Sequence, residues 1–204
     1  MKILTPAKIN PLLYILGKRK DGFHELYMHM VPVSLFDKLS FSNNNKKGLI
    51  FHVKGATFSE PQEDNLVVRA VRLFEEVAGV TADLDINLEK HIPSGAGLGG
   101  GSGNAAGTLR ALNNIFRLSS TSPGLLPPKT LFELALELGS DVPFFLEPSP
   151  CEIRGRGEKL IPLTEYPEFL LVIIKPALSI PTPDAYLNCL PEERTSFPEV
   201  KSFA

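Results

Sequence analysis

The chain has 204 residues, a formal net charge of −2, 18 prolines, 16 glycines and 2 cysteines. That length suits one large domain or one and a part, and a chain of this size buries roughly 70% of its unfolded surface, enough to fold without covalent staples. The composition excludes several classes: there is no basic stripe for nucleic acid and no apolar run near the roughly 18 residues of a membrane span, and Cys151 and Cys189 give neither a disulfide framework nor a metal-ligand spacing. The N-terminus lacks the pattern of a secretion signal, so a reducing cytoplasm is the expected compartment.

Lys2 to Gly17 reads as two short strands broken at Pro6. Within it, PAKIN sets Lys8 and Asn10 two apart, on one face of a strand. Taken alone, a lysine there is more commonly a snorkelling surface side chain than a functional one. KRKDG, ending at Gly22, is a turn with Asp-Gly at its tip. Phe23 to Phe41 returns as a long strand, with Pro32 marking an edge or bulge. Phe23 and His24 sit just past the turn, where loop residues commonly meet ligands; a solvated turn histidine is the plainer role for His24. Leu49 to Val53 is a short strand. Asp64 caps a helix over about Asn65 to Ala78, with Val67, Ala70, Val71, Phe74, Val77 and Ala78 on one apolar face and Gly79 closing it. Leu84 to Ile92 alternates Leu84, Ile86 and Leu88 with Asp85, Asn87 and Glu89, a half-buried strand.

The next stretch, PSGAGLGGGSGNAAG from Pro93 to Gly107, is the centre of the chain. Glycine holds seven of the thirteen positions from Gly95 to Gly107, so the backbone can approach a ligand without Cβ clashes. Strand, glycine loop and helix start point free N–H groups and the positive end of a helix dipole at an anion. No carboxylate occurs from Lys90 to Phe132, as a phosphate site would require. A flexible linker is the alternative, but its flanks would be polar rather than periodic and apolar. The stretch is not a P-loop, because no Gly-Lys-Ser/Thr closes it. Gly95, Gly97 and Gly100 satisfy the dinucleotide fingerprint, yet the acid that should follow by about twenty residues to hold a ribose is missing.

A helix follows over Asn104 to Phe116, with Ala105, Leu109, Leu112 and Phe116 on one side, then a loop over Ser119 to Pro128 and a third helix over Pro128 to Leu138 closed by Gly139. In GSDVPFFL, Asp141 occupies a tight turn between that helix and an apolar, strand-like stretch. It is either a turn aspartate or a carboxylate at the mouth of the anion site. Cys151 to Gly157 and Phe169 to Lys175 read as further strands, and Ile180 to Tyr186 as a proline-bracketed loop opening a helix.

Six ordered motifs, PAKIN, DGFH, EDNL, GLGGGS-x-N-A-A, G-x-DVPFF and SIPTP, resemble those of the GHMP kinases, the group of galactokinase, homoserine kinase and mevalonate kinase. Within that group they are most similar to the members that phosphorylate the 2-hydroxyl of a cytidine-diphosphate-linked methylerythritol in the non-mevalonate isoprenoid pathway. The resemblance covers nearly the whole chain. It implies an α+β fold: a ribosomal protein S5 domain 2-like N-terminal domain over residues 1–157, then the beginning of a ferredoxin-like C-terminal domain over 158–204. The family's third glycine-rich motif is not reached. The resemblance implies ATP and Mg²⁺ as cofactors, Asp141 as general base and Lys8 as its cationic partner. The ATP site would comprise Asn65, Leu66 and Lys90 along the adenosine, with Pro93, Ser94, Gly95, Ala96, Gly97, Leu98, Gly99, Gly100, Gly101, Ser102 and Gly103 around the phosphates. Gly103 stands where the family usually has serine. Asn10, Phe23, His24, Pro181, Thr182 and Tyr186 would hold the substrate, Phe23 and Tyr186 stacking on the cytosine and His24 reading its edge. The expected partner is a small molecule, with neither nucleic acid nor membrane; the sequence does not set the oligomeric state, monomer or weak dimer. Two other readings stay open: a homoserine-kinase-like GHMP enzyme, and a non-catalytic nucleotide- or RNA-binding module of the same fold.

Overall fold

Two long antiparallel strands carry the sheet, in a computed structural model that describes residues 1–22, 24–55, 61–118, 126–155 and 157–176. Strand β1 runs Lys2–Lys18 and β2 runs His24–Asn43. Pro6 does not break β1 into two; it sits at a register shift between Pro6 and Ala7, and two further shifts follow at Ile9/Leu12 and Ile15/Gly17. A bulge absorbs the missing N–H and turns the strand without ending it. Beyond the turn, β2 pairs with β1 from His24 to Ser40 and divides its other edge. Residues 26–30 take β5 (Cys151–Gly155), and residues 38–43 take β4 (Leu84–Glu89). Pro32 lies in the gap between those two ladders, where its lack of a donor costs no ladder bond. Strand β3 (Ile50–Lys54) lies parallel to β4, and β6 (Lys159–Pro162) closes a hairpin with β5. That hairpin crosses the domain boundary expected at residue 157.

Helix α1 runs Leu66–Ala78. Its cap is Asn65, one residue later than expected, whose side chain accepts from the Val67 N–H; residues Gln62–Asp64 form a 3₁₀ turn instead. Val67, Ala70, Val71 and Phe74 are fully buried, whereas Val77 faces solvent. Gly79 ends the helix at φ 64, the left-handed cap that glycine adopts without Cβ strain. Helix α2 runs Gly100–Leu118, beginning inside the glycine run four residues before the expected start, and α3 runs Pro128–Leu138 as its pattern predicts. Pro143–Leu146 is a 3₁₀ turn, not a strand, because Val142, Phe144 and Phe145 all turn inward. Phe74 stacks on Phe116 with ring centroids 5.8 Å apart, joining α1 to α2. Met28 and Met30 of β2 and Ile86 and Leu88 of β4 complete the main core with the helices; each fully buried aliphatic or aromatic side chain there contributes about 1.5–3 kcal/mol of transfer free energy. Among the described residues no helix is long and apolar enough to cross a membrane. Phe169–Lys175, expected as a strand, has no ladder partner among the described residues and is not one.

Candidate active site

The loop between β4 and α2 is fastened from below before it can hold anything above. Ala7, Ile92 and Leu98 form a small second core, with Ile9, Val33, Leu35 and Ala96 packed on it. The Lys8 N–H on the outer edge of β1 donates to Leu98 O at 2.9 Å. Gly99 takes φ 68, and a Cβ there would stand 2.7 Å from Phe145 Cζ and 3.0 Å from Lys8 Cγ, so no other residue fits without displacement. One residue later α2 starts, and its first bridging bond runs from Gly103 N–H to Gly99 O. The N–H groups ahead of it, in the first turn, have no partner within the helix and carry the positive end of its dipole.

Above this loop is a cleft of about 440 Å³. Asn65, Leu66, Lys90 and the unbroken run from Pro93 to Ser102 line it, together with Asp64, Leu88 and Asn104. Gly103, expected among these, is instead buried against β1: a Cβ on it would lie 3.2 Å from Pro6 O and 3.4 Å from Phe145 Cδ1. The serine hydroxyl missing at this position would therefore have faced β1, and a side chain there would press on the strand.

Lys8 is buried, and its Nζ lies 3.3 Å from Asp141 Oδ2. The same ammonium donates to Asn10 Oδ1 at 2.6 Å, and the Asn10 amide reaches Met28 Sδ and His29 O, both at 3.3 Å. β1 thus supplies an ammonium held between the Asn10 amide oxygen and the carboxylate from the turn after α3. The Asp141 side chain remains 35% exposed, open to a hydroxyl arriving from solvent. The structure brings Lys8, Asn10 and Asp141 together at the edge of the glycine loop. His24 begins β2, half-buried and in register with Lys18. Phe23, Pro181, Thr182 and Tyr186 lie outside the described residues.

The sequence reading missed Asp37. It is fully buried beneath the loop and accepts four hydrogen bonds: Oδ1 from the His91 and Ile92 N–H groups at 2.7 and 2.8 Å, Oδ2 from Lys90 Nζ and from Asn104 Nδ2 at 2.9 Å. Thr5 Oγ1 donates in turn to Asn104 Oδ1 at 2.6 Å. Lys90 is therefore a paired cation, and the expectation of a carboxylate-free site holds for the stretch from Lys90 to Phe132 but not for the folded site, where Asp64 lines the cleft and Asp37 pairs with Lys90 beneath it. No local signal could have found Asp37, whose partners lie 53 to 67 positions away.

Residues 65–147 match the family model of the GHMP kinase N-terminal domain. The chain is 40% identical to 4-diphosphocytidyl-2-C-methyl-D-erythritol kinase of Heliobacterium modesticaldum over 91% of its own length and 57% of that relative. With the same enzyme of Pelotomaculum thermopropionicum identity is 43%, over 90% of this chain and 61% of the relative. A crystal structure of 4-(cytidine 5'-diphospho)-2C-methyl-D-erythritol kinase superimposes with a TM-score of 0.73 at 40% identity, covering 92% of this chain and 63% of that one. Mevalonate kinase of Methanococcus jannaschii, at 14% identity and a TM-score of 0.57 over 81% of this chain and 56% of that one, shares the fold. The chain thus spans about three-fifths of the length of the curated relatives it matches. Its sheet, its amide-lined loop and these matches agree: residues 65–147 match the GHMP kinase N-terminal domain, in a chain that is similar to a kinase of that group over about nine-tenths of its length.

Proposed function

We propose that the chain acts as an ATP-dependent kinase on the 2-hydroxyl of 4-diphosphocytidyl-2-C-methyl-D-erythritol, in the non-mevalonate isoprenoid pathway. The observation that carries this is the Lys8–Asp141 pair, 3.3 Å apart, with Lys8 on a strand whose own backbone is bonded to the glycine loop. An acceptor for the hydroxyl proton and a rack of phosphate donors then share one rigid support. Phosphoryl transfer asks the protein for little more than positioning and charge stabilisation. The first-turn amides of α2 hold the triphosphate, and Asn65 and Leu66 border the nucleoside. Asp141 takes the proton as the hydroxyl oxygen bonds to the γ-phosphorus and the bond to ADP breaks. The Lys8 ammonium offsets negative charge as it develops on the transferring group.

Mg²⁺ belongs to this reading through its usual chemistry: held by one or two carboxylates together with the substrate, it would offset the negative charge of the phosphates. Among the described residues no three metal-ligating side chains cluster. Asp141 and the hydroxyl of Ser102, which lines the cleft, would supply the protein oxygens to the metal. Asn10, Phe23, His24, Pro181, Thr182 and Tyr186 would hold the cytidine substrate. The working compartment would be the cytoplasm, with no nucleic acid partner.

The test is an ATP-consumption assay with the cytidine-diphosphate substrate against homoserine and mevalonate, in parent and Asp141→Asn. The expected result is turnover with the cytidine compound alone, reduced by about a hundredfold or more in the variant with ATP binding retained. Preference for homoserine would move the chain to a sister activity, and parent-like turnover in the variant would remove Asp141 from the chemistry.

A further inference from the structure

We propose that Asp37 is a positioning residue of the phosphate cradle, setting the geometry of the loop and aiming Lys90 at the anion site; this rests on the kinase reading above. The local backbone explains why a carboxylate is needed. The last ladder pair of β4 is Lys38 with Glu89, and the chain then leaves the sheet. The next N–H groups that a continuing strand would satisfy, those of His91 and Ile92, point instead at Asp37 Oδ1. Buried main-chain donors require acceptors, and one oxygen serves both while holding the chain in the direction that leads into the glycine run. The second oxygen holds Asn104 of the first turns of α2, so the two ends of the loop are tied to one side chain. Its last bond is to Lys90 Nζ, which lies 2.7 Å from where a Cβ on Gly100 would stand, at the opening of the helix. An ammonium has three donors. With one spent on Asp37, Lys90 still has two to offer at the cleft it lines.

All four neighbours of the carboxylate are donors, which makes Asp37→Asn a sharp test, since either orientation of the amide sets its NH₂ against two of them. Calorimetric titration of the chain with Mg·ATP, and separately with the cytidine substrate, reads the outcome. The expected result is Mg·ATP affinity weakened about tenfold or more, with binding stoichiometry and cytidine-substrate affinity unchanged; in turnover, KM for ATP rises and kcat stays within about threefold. Parent-like ATP affinity overturns the proposal and leaves the kinase reading intact. A fall in stoichiometry at constant affinity also overturns it, because that is the mark of a fold defect. If the parent itself does not bind Mg·ATP, the kinase reading and this inference fall together. Should Asp37→Asn not fold, Asn104→Ala decides. It removes one of the four bonds and is expected to weaken Mg·ATP binding about threefold or more, and parent-like binding in it overturns the proposal.

Discussion

Two lysine–aspartate pairs flank the glycine loop, and exposure divides them. Asp37 has no solvent-accessible surface, whereas the Asp141 side chain keeps 35% of its own. A carboxylate with all four lone-pair sites filled can fix its neighbours but cannot take a proton from a substrate; one that is half-open can. A third titratable group lies on the other face of β2. His29 is buried, its Nδ1 has no hydrogen-bond partner among the described residues, and Tyr166 meets its ring edge-on at 5.9 Å. Burial pushes its pKa down, and Glu152, opposite it on β5, pulls weakly the other way. The unfolded chain takes up this proton near the ordinary value of about 6.5, while the folded chain resists it. The unfolded state therefore binds more protons below that pH, and stability is lost on acidification from about pH 7, levelling off once pH passes the lowered value. We expect urea midpoints measured between about pH 7 and 5 to fall more steeply in the parent than in His29→Leu. Parallel slopes would show that this histidine titrates alike in both states.

Gly99 links β1, the 3₁₀ turn after α3 and the start of α2, and it sets how closely these elements meet. Gly99→Ala combines a left-handed backbone with a Cβ 2.7 Å from the Phe145 ring, which is itself fully buried. Strain of this kind costs about 1–3 kcal/mol. The variant is expected to melt lower by several degrees and to bind ATP more weakly than its loss of stability accounts for, checked by calorimetric melting with and without nucleotide. An unshifted melt would mean that the loop yields easily. The same junction shows what the sequence made legible. β4 and α3 were readable because a period of two and a period near 3.6 were written in adjacent residues, and the cleft-lining loop because its glycines are clustered. The start of α2 was not, since Gly100, Gly101 and Gly103 are poor helix formers and fold helically only because Gly99 O, Pro6 and Phe145 receive them. PFFL reads as a strand by composition and is a 3₁₀ turn because its side chains all serve one core. Asp37 was invisible for a related reason: its donors are assembled by the sheet, not by the neighbouring sequence.

At the scale of the molecule the sheet has two unlike faces. Leu26, Met28 and Met30 of β2 turn toward the helices, while Tyr27 and His29 turn away, Tyr27 donating to Glu152 at 3.0 Å and lying under Arg154. The segment after β6 lays Tyr166 on that second face, with Phe169 beside it at 6.4 Å. It then continues into an apolar run that alternates. Leu171 and Ile173 are 43% and 39% exposed, whereas Leu170, Val172 and Ile174 are 103%, 85% and 86% exposed. This period of two is what a sequence reading takes for a strand, and a ladder needs a second strand, which none of the described residues supplies. Such a row, with no ladder partner among the described residues, recruits other apolar surface. We therefore expect this 204-residue chain to associate with itself as its concentration rises. Val172→Lys combined with Ile174→Lys places two charges on the open side and should suppress that association. Because neither side chain packs against the rest of the chain to any extent, the melting temperature should not move. Sedimentation of both proteins across one concentration series decides it: equal association in parent and double variant would mean that contact between copies is made elsewhere on the surface.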